Sequence, residues 1–269
     1  MFDTIKSRGL VLLGCGKMGS AMLEGWLKQG LPADSVWVKD PYPSDWLKGQ
    51  GVHLNETLPQ SPALVLVAVK PQMMEEALPV LKTYGNGDTI FLSIAAGTTI
   101  THYESTLGAQ TPVIRSIPNT PAAIGRGITA LIGNAQIDEA ALQLAETLLS
   151  TIGQTVRLDD EGQMDAVTAM SGSGPAYVFH LIEALAVAGE AQGLSPELSM
   201  TLAKATVGGA GQLAEDSSDT PTQLRINVTS PNGTTQAALE VLMDESKGFP
   251  PLLRDAIAAA TRRSKELGA

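Results

Sequence analysis

An α/β fold followed by an all-helical part is the architecture predicted by this sequence of 269 residues, on three observations. Short apolar runs alternate with amphipathic stretches through the first 158 residues. Two of the runs, at 10–13 and 64–69, are apolar throughout, as strands covered on both faces must be. Beyond residue 159 the strand pattern ends and helical periodicity alone continues. Alternating strands and helices predict a doubly wound parallel sheet. The expected domains are therefore 1–159 and 160–269.

Taken in order, strand-like runs fall at 10–13, 35–39, 64–69, 89–94, 112–116, 128–132 and 155–158. Helical spacing occupies 20–29, 72–82 and 99–106 between the early strands, and 138–151 before the last one. The later helices are expected at 166–170, 175–192, 196–215, 221–228, 234–245 and 249–267. Pro175, Pro196 and Pro221 fit first-turn positions, where a missing N–H leaves no bond unmade.

Composition narrows the function classes. A chain with 43% hydrophobic and 17% charged residues folds into a globule, and its length suffices for two domains. Aromatics are only 4%, so Ala, Leu, Val and Ile must fill the core. The net charge of -10 repels a phosphate backbone, and no basic run offsets it, which sets nucleic acid aside. The lone Cys15 excludes an intramolecular disulfide and a cysteine-based zinc site, and no metal is expected. The N-terminal apolar run ends in glycine without a cleavage site and reads as a first strand. His180, Glu183 and Glu190 interrupt the most apolar long segment, which is too short and too charged to span a bilayer. A cytoplasmic protein with no membrane partner is expected.

Gly14, Cys15, Gly16, Lys17, Met18 and Gly19 follow the first strand and open a helix, the context in which this glycine pattern binds a dinucleotide. Gly14 permits a tight turn, Gly16 lets the backbone approach a pyrophosphate, and Gly19 lets helix and strand come close. The pyrophosphate would rest on the free N–H groups of the helix N-terminus. Asp40 ends the second strand, where an acidic residue accepts hydrogen bonds from an adenosine ribose and favours NAD. It equally fits the start of an Asp-Pro-Tyr-Pro turn. Ala68, Val69, Lys70 and Pro71 leave the third strand at the carboxyl edge, so Lys70 either faces the cofactor or is solvated. The segments 93–99 and 115–121 end two more strands on that edge. Asn119, between two prolines, is either a donor to a carboxamide or substrate, or a fixed turn. Arg115 is either structural, pairing with a carboxylate, or functional.

Two glycine- or hydroxyl-rich stretches lie in the second half. Residues 171–176 form a helix entry of small residues, open to a ligand or to close helix packing. The stretch 228–235 precedes a helical pattern. The N–H groups of Gly233, Thr234 and Thr235 there form an anion site without any lysine or arginine, unless the hydroxyls are plain helix caps. An anionic substrate such as a carboxylate suits that site. Two other readings stay open: a hydroxyacid dehydrogenase using Lys204, and a redox-sensing binding module.

Together these segments closely resemble the pyrroline-5-carboxylate reductases. The resemblance is carried by GCGKMGSAM at 14–22, AVKPQ at 68–72, SIAAGTT at 93–99, RSIPNTPA at 115–122, SGSGPAYVF at 171–179 and VTSPNGTT at 228–235. It implies a Rossmann-type domain followed by an all-α dimerisation domain. It also implies hydride transfer from NAD(P)H to the C=N carbon of a cyclic imino acid, giving L-proline. Either NADP(H) or NAD(H) fits. The resemblance places Gly233 and Thr234 amides on the substrate carboxylate with Ser230 beside them, Thr235 near the ring nitrogen, and Asn55 near the adenosine ribose or its phosphate. It implies a homodimer, with larger rings of dimers in some members. Two positions depart from the pattern: Asn232 replaces a glycine, and Asp40 replaces a small hydroxyl residue.

Overall fold

A computed structural model describes residues 2–268. The chain packs as two units. One runs to Gly172 and takes in the chain end from Thr261; the other spans Ser173–Ala260.

In the first unit α1 (Asp3–Arg8) leads into β1 (Leu10–Leu13), α2 (Lys17–Lys28), β2 (Val36–Lys39), α3 (Asp45–Lys48) and β3 (His53–Leu54). Then come β4 (Leu64–Val67), α4 (Met74–Ala77), β5 (Ile90–Ser93), α5 (Ile100–Leu107), β6 (Val113–Ile117) and β7 (Gly127–Gly133). The unit closes with α6 (Glu139–Leu149), β8 (Gly153–Arg157) and α7 (Met164–Val167). All eight strands form one sheet in the order β3-β2-β1-β4-β5-β6-β7-β8. Strand β1 pairs in parallel with β2 on one side and β4 on the other, and β5 and β6 continue the parallel run. The predicted doubly wound class is the one observed.

Side-chain alternation gives the sheet a core on each face. Leu10, Leu12, Leu64 and Leu66 pack with Met22 and Trp26 of α2. Val11, Leu13, Val65 and Val67 pack with Phe91 and with Tyr103 of α5. Burial on both faces explains why β1 and β4 are apolar at every position. Trp26 is fully buried, and its indole N–H donates to the Leu148 carbonyl at 2.8 Å. Trp26→Ala is expected to lose about 3–5 kcal/mol, the cavity and the orphaned carbonyl both contributing. Chemical denaturation measures it.

Several features differ from the sequence reading. Strands β7 and β8 pair in parallel with each other, but β7 runs antiparallel to β6, so the sheet is not parallel throughout. The connection 118–126 holds only a 3₁₀ turn at Thr120–Ile124, too short for a parallel crossover of about a dozen residues. The helix expected at 72–82 breaks into α4 and a 3₁₀ segment, Leu78–Tyr84, because Pro79 has no N–H for an α-helical bond. A short helix, α1, precedes the first strand.

After α7, a π-helical turn at Thr168–Gly172 leads to α8 (Gly174–Ala191), α9 (Pro196–Asp216), α10 (Pro221–Asn227), α11 (Thr234–Leu242) and α12 (Phe249–Gly268). The strand pattern ends near 159, yet the first unit continues to Gly172. Met164 and Ala169 are fully buried, and Asp165 accepts a hydrogen bond from Ser264 Oγ at 2.6 Å. In the second unit only Ala186, Ser199, Ala203 and Gly248 are buried among the described residues. Helices α8 and α9 approach closely, since a Cβ at Gly189 would stand 3.0 Å from Ser199 Oγ. Phe179, Val187, Leu202 and Leu213 stay exposed. No helix among the described residues is long and apolar enough to cross a membrane.

Candidate active site

The glycine turn sits between β1 and α2, at the carboxyl edge of the sheet. Gly14 has φ +85, and a Cβ there would lie 3.0 Å from the Ala68 carbonyl and from Val69 Cγ1. A Cβ at Gly19 would stand 3.2 Å from the Gly14 carbonyl and 3.5 Å from Ala68 Cβ. Gly14, Gly19, Ala68 and Val69 are thus brought together by close backbone approach. Gly16 differs: a Cβ there meets nothing within 4 Å, so open space lies over the second glycine. It is also the N-cap of α2 and offers no side chain to that helix's free N–H groups. Lys17 is exposed and Met18 half-buried in the first turn. Uncapped N–H groups facing open space fit a pyrophosphate, and the helix dipole favours its charge. The Cys15 thiol is buried, which pushes its pKa up; Ser20 partly opposes this and the Asp40 carboxylate adds to it.

Asp40 extends β2 toward this turn. Its Oδ2 accepts the Cys15 N–H at 2.7 Å, and its Oδ1 accepts the Tyr42 N–H at 2.8 Å. Asp40 therefore starts the turn after β2 and also holds the glycine turn. Asn55 adopts φ 56, and its side-chain amide clasps the Asp40 main chain. Asp40 N–H donates to Asn55 Oδ1 at 3.0 Å, and Asn55 Nδ2 donates to the Asp40 carbonyl at 2.8 Å. Lys70 is exposed, and Pro71 begins a 3₁₀ turn at Pro71–Met73.

The next loops are braced from below. Ser93 Oγ and Tyr103 OH are 2.6 Å apart, and Ala95 N–H donates to Ser93 Oγ at 3.1 Å. Glu161 accepts from Ile100 N–H at 2.9 Å and from Arg115 Nη1 at 2.7 Å, so Arg115 pairs with a carboxylate and is buried. Nothing local marks Glu161 for this work, because its partners lie far away in sequence. Burial pushes the Tyr103 phenol up to about 12, only partly countered by Ser93. A raised phenol pKa stabilises the fold fully below pH ~10, and that stability is lost as pH rises from there toward 12. Tyr103 is expected to be the last tyrosine to ionise, and Tyr103→Phe to flatten the alkaline stability loss; a tyrosinate absorbance titration checks the first and denaturation at rising pH the second. Asn119 accepts the Ile128 N–H at 3.0 Å and donates to Ser171 Oγ at 3.3 Å. Its amide therefore holds the turn on both sides.

In the second unit, the 228–235 loop ends at Gly233, the N-cap of α11, with no side-chain cap. Asn232 adopts φ 59, a left-handed conformation that asparagine tolerates better than most residues. Gln236 Oε1 accepts the Asn232 N–H at 2.7 Å. Gly233 N–H donates to the Ser230 carbonyl at 3.0 Å. That differs from the expectation for Gly233: its amide closes the turn, and the first-turn N–H groups of Thr234 and Thr235 are those without an intrahelical acceptor. Thr235 is half-buried and Ser230 exposed. Lys204 is exposed on α9.

Residues 161–267 match the family described as pyrroline-5-carboxylate reductase dimerisation. Residues 9–97 match the family described as NADP oxidoreductase, coenzyme F420-dependent. The chain is 40% identical over 264 residues to a pyrroline-5-carboxylate reductase of Pseudomonas aeruginosa, covering 96% of each. A solved pyrroline-5-carboxylate reductase from Coxiella burnetii superposes with a TM-score of 0.89 at 31% identity, over 97% of this chain and 99% of that one. The Plasmodium falciparum pyrroline carboxylate reductase, solved with NADP bound, gives 0.84 at 28% identity, over 98% and 99%. With 40% identity over 96% of its length to one such reductase and a match to the family's dimerisation domain, the chain belongs to the pyrroline-5-carboxylate reductase family.

Proposed function

We propose that the protein reduces 1-pyrroline-5-carboxylate to L-proline at the expense of NAD(P)H, the last step of proline biosynthesis. The observation that carries the reading is the uncapped start of α11, where Thr234 and Thr235 offer N–H groups to an anion beside hydroxyls. The substrate carboxylate rests on those two amides, with Ser230 at its side and Gly233 shaping the turn. Thr235 Oγ1 orients the ring N–H, which keeps the imine protonated so that no negative charge builds on nitrogen. The bound nicotinamide supplies the hydride to the imine carbon. Gly16 lets the pyrophosphate rest on α2, Gly14 makes the turn and Gly19 keeps helix and strand close, with Lys17 and Met18 in the first turn. Asp40 and Asn55 frame the adenosine end, and Ala68, Val69, Lys70 and Pro71 line the neighbouring loop. Asn119 positions the turn after β6.

A carboxylate-free imine tests the anion site. 1-Pyrroline is expected to show a kcat/KM at least about 100-fold below that of pyrroline-5-carboxylate, the worth of hydrogen bonds to a charged group. Equal values for the two imines would remove the loop from substrate binding.

The exposed apolar faces of α8 and α9 support a homodimer formed through the second unit. Rings of dimers and a cytoplasmic location belong to the same proposal. A sedimentation mass of one chain at micromolar concentration would count against the dimer.

A further inference from the structure

We propose that Asp40 makes this enzyme select NADH over NADPH. This rests on the dinucleotide reading above and goes beyond it, because that reading leaves the choice between the two cofactors open.

The argument starts from where the carboxylate is held. The pyrophosphate position over Gly16 fixes the direction of the cofactor across the sheet edge, with the adenosine ribose on the β2 side. Asp40 stands at the end of β2 and reaches back to the turn itself, accepting the N–H of Cys15. Its other oxygen accepts the Tyr42 N–H, and the Asn55 amide fastens the Asp40 main chain at both its N–H and its carbonyl. A side chain tied on both oxygens cannot swing aside without breaking the glycine turn's own hydrogen bond.

The chemistry then discriminates. An ionised carboxyl accepts at about four lone-pair sites and donates none, so the two backbone bonds leave roughly two sites open. Ribose hydroxyls are donors and fill them. A 2′-phosphate brings only acceptors and negative charge, which the fixed carboxylate repels. The basic groups nearby offset this only in part, since one is paired with a carboxylate and the other, tied to a neutral carbonyl, keeps its charge. Lys48 pairs with Asp45 at 2.8 Å, and Lys39 Nζ donates to the Asn55 carbonyl at 3.1 Å.

The test is equilibrium binding of NADH and NADPH to the full-length protein, read by cofactor fluorescence with no imine present. Wild type is expected to bind NADH at least about tenfold more tightly than NADPH. Asp40→Ser keeps a hydroxyl to accept the Cys15 N–H and is expected to shift the ratio toward NADPH by about tenfold or more, through a gain in NADPH affinity. Wild-type binding that is equal for the two or tighter for NADPH overturns the proposal, as does an unchanged ratio in Asp40→Ser. Should that variant not fold, ionic strength decides in wild type. Added salt is expected to narrow the NADH advantage by screening the repulsion; an advantage independent of salt overturns it. NADH-selective binding without turnover on pyrroline-5-carboxylate would sink the reductase reading and leave the role of Asp40 intact, so the two failures are distinguishable.

Discussion

Gly16→Ala is expected to leave the melting temperature within about 2 °C of wild type while weakening dinucleotide binding roughly 100-fold. The backbone at this position has φ -70, which any residue adopts, and an added Cβ meets no protein atom within 4 Å. The fold therefore has no reason to object. The methyl group enters the space through which a pyrophosphate would approach the first-turn N–H groups of α2, and each lost hydrogen bond to a charged group weakens binding by about 1.5–3 kcal/mol. Gly14→Ala provides the contrast. Its φ of +85 and the 3.0 Å approach to the Ala68 carbonyl predict a loss of about 1–3 kcal/mol in stability together with the loss of binding. Calorimetric melting beside cofactor titration separates the two variants. A Gly16→Ala protein with unchanged cofactor affinity would place the pyrophosphate elsewhere.

Thr235→Ala is expected to lower kcat by about 10- to 100-fold, the range of one hydrogen bond to a charged group, and to leave the cofactor Kd unchanged. The helix should not suffer, because Gly233 and not Thr235 occupies the cap position. Thr235→Ser keeps the hydroxyl and is expected to retain most of the activity. Stopped-flow single turnovers, with cofactor affinity measured separately, resolve the two quantities. Equal turnover in wild type and Thr235→Ala would remove the hydroxyl from the mechanism.

Much of the fold was legible because its signals are local or periodic. The all-apolar β1 and β4, the glycine turn and the prolines opening α9 and α10 each carry their reason in adjacent residues. The direction of β7 was legible in principle, from the shortness of the 118–126 connection rather than from the strand's own pattern. Helix α1 escaped because six residues with only Ile5 buried give no periodicity to read. Strand β3 has two residues and exists through its pairing with β2.

The site divides in the same way. Gly14, Gly16 and Gly19 could be assigned separate tasks from their order alone, and the geometry gives each a different surrounding. The left-handed backbone at Asn232 agrees with the tolerance of asparagine for that conformation. The clasp of Asn55 on Asp40 and the hold of Glu161 on Ile100 and Arg115 depend on residues distant in sequence. No pattern within either segment announces them. Gly233 shows a subtler limit: an N–H at a helix start was free by rule, yet the preceding turn supplies Ser230 O as its acceptor.

The central claim is tested most directly by following reduced-nicotinamide absorbance after adding pyrroline-5-carboxylate, with NADH and NADPH in parallel. Oxidation of the cofactor with matching formation of L-proline, faster at equal low concentration with NADH, is the expected result. Folded protein that binds dinucleotide but oxidises neither cofactor in the presence of this imine would contradict the account.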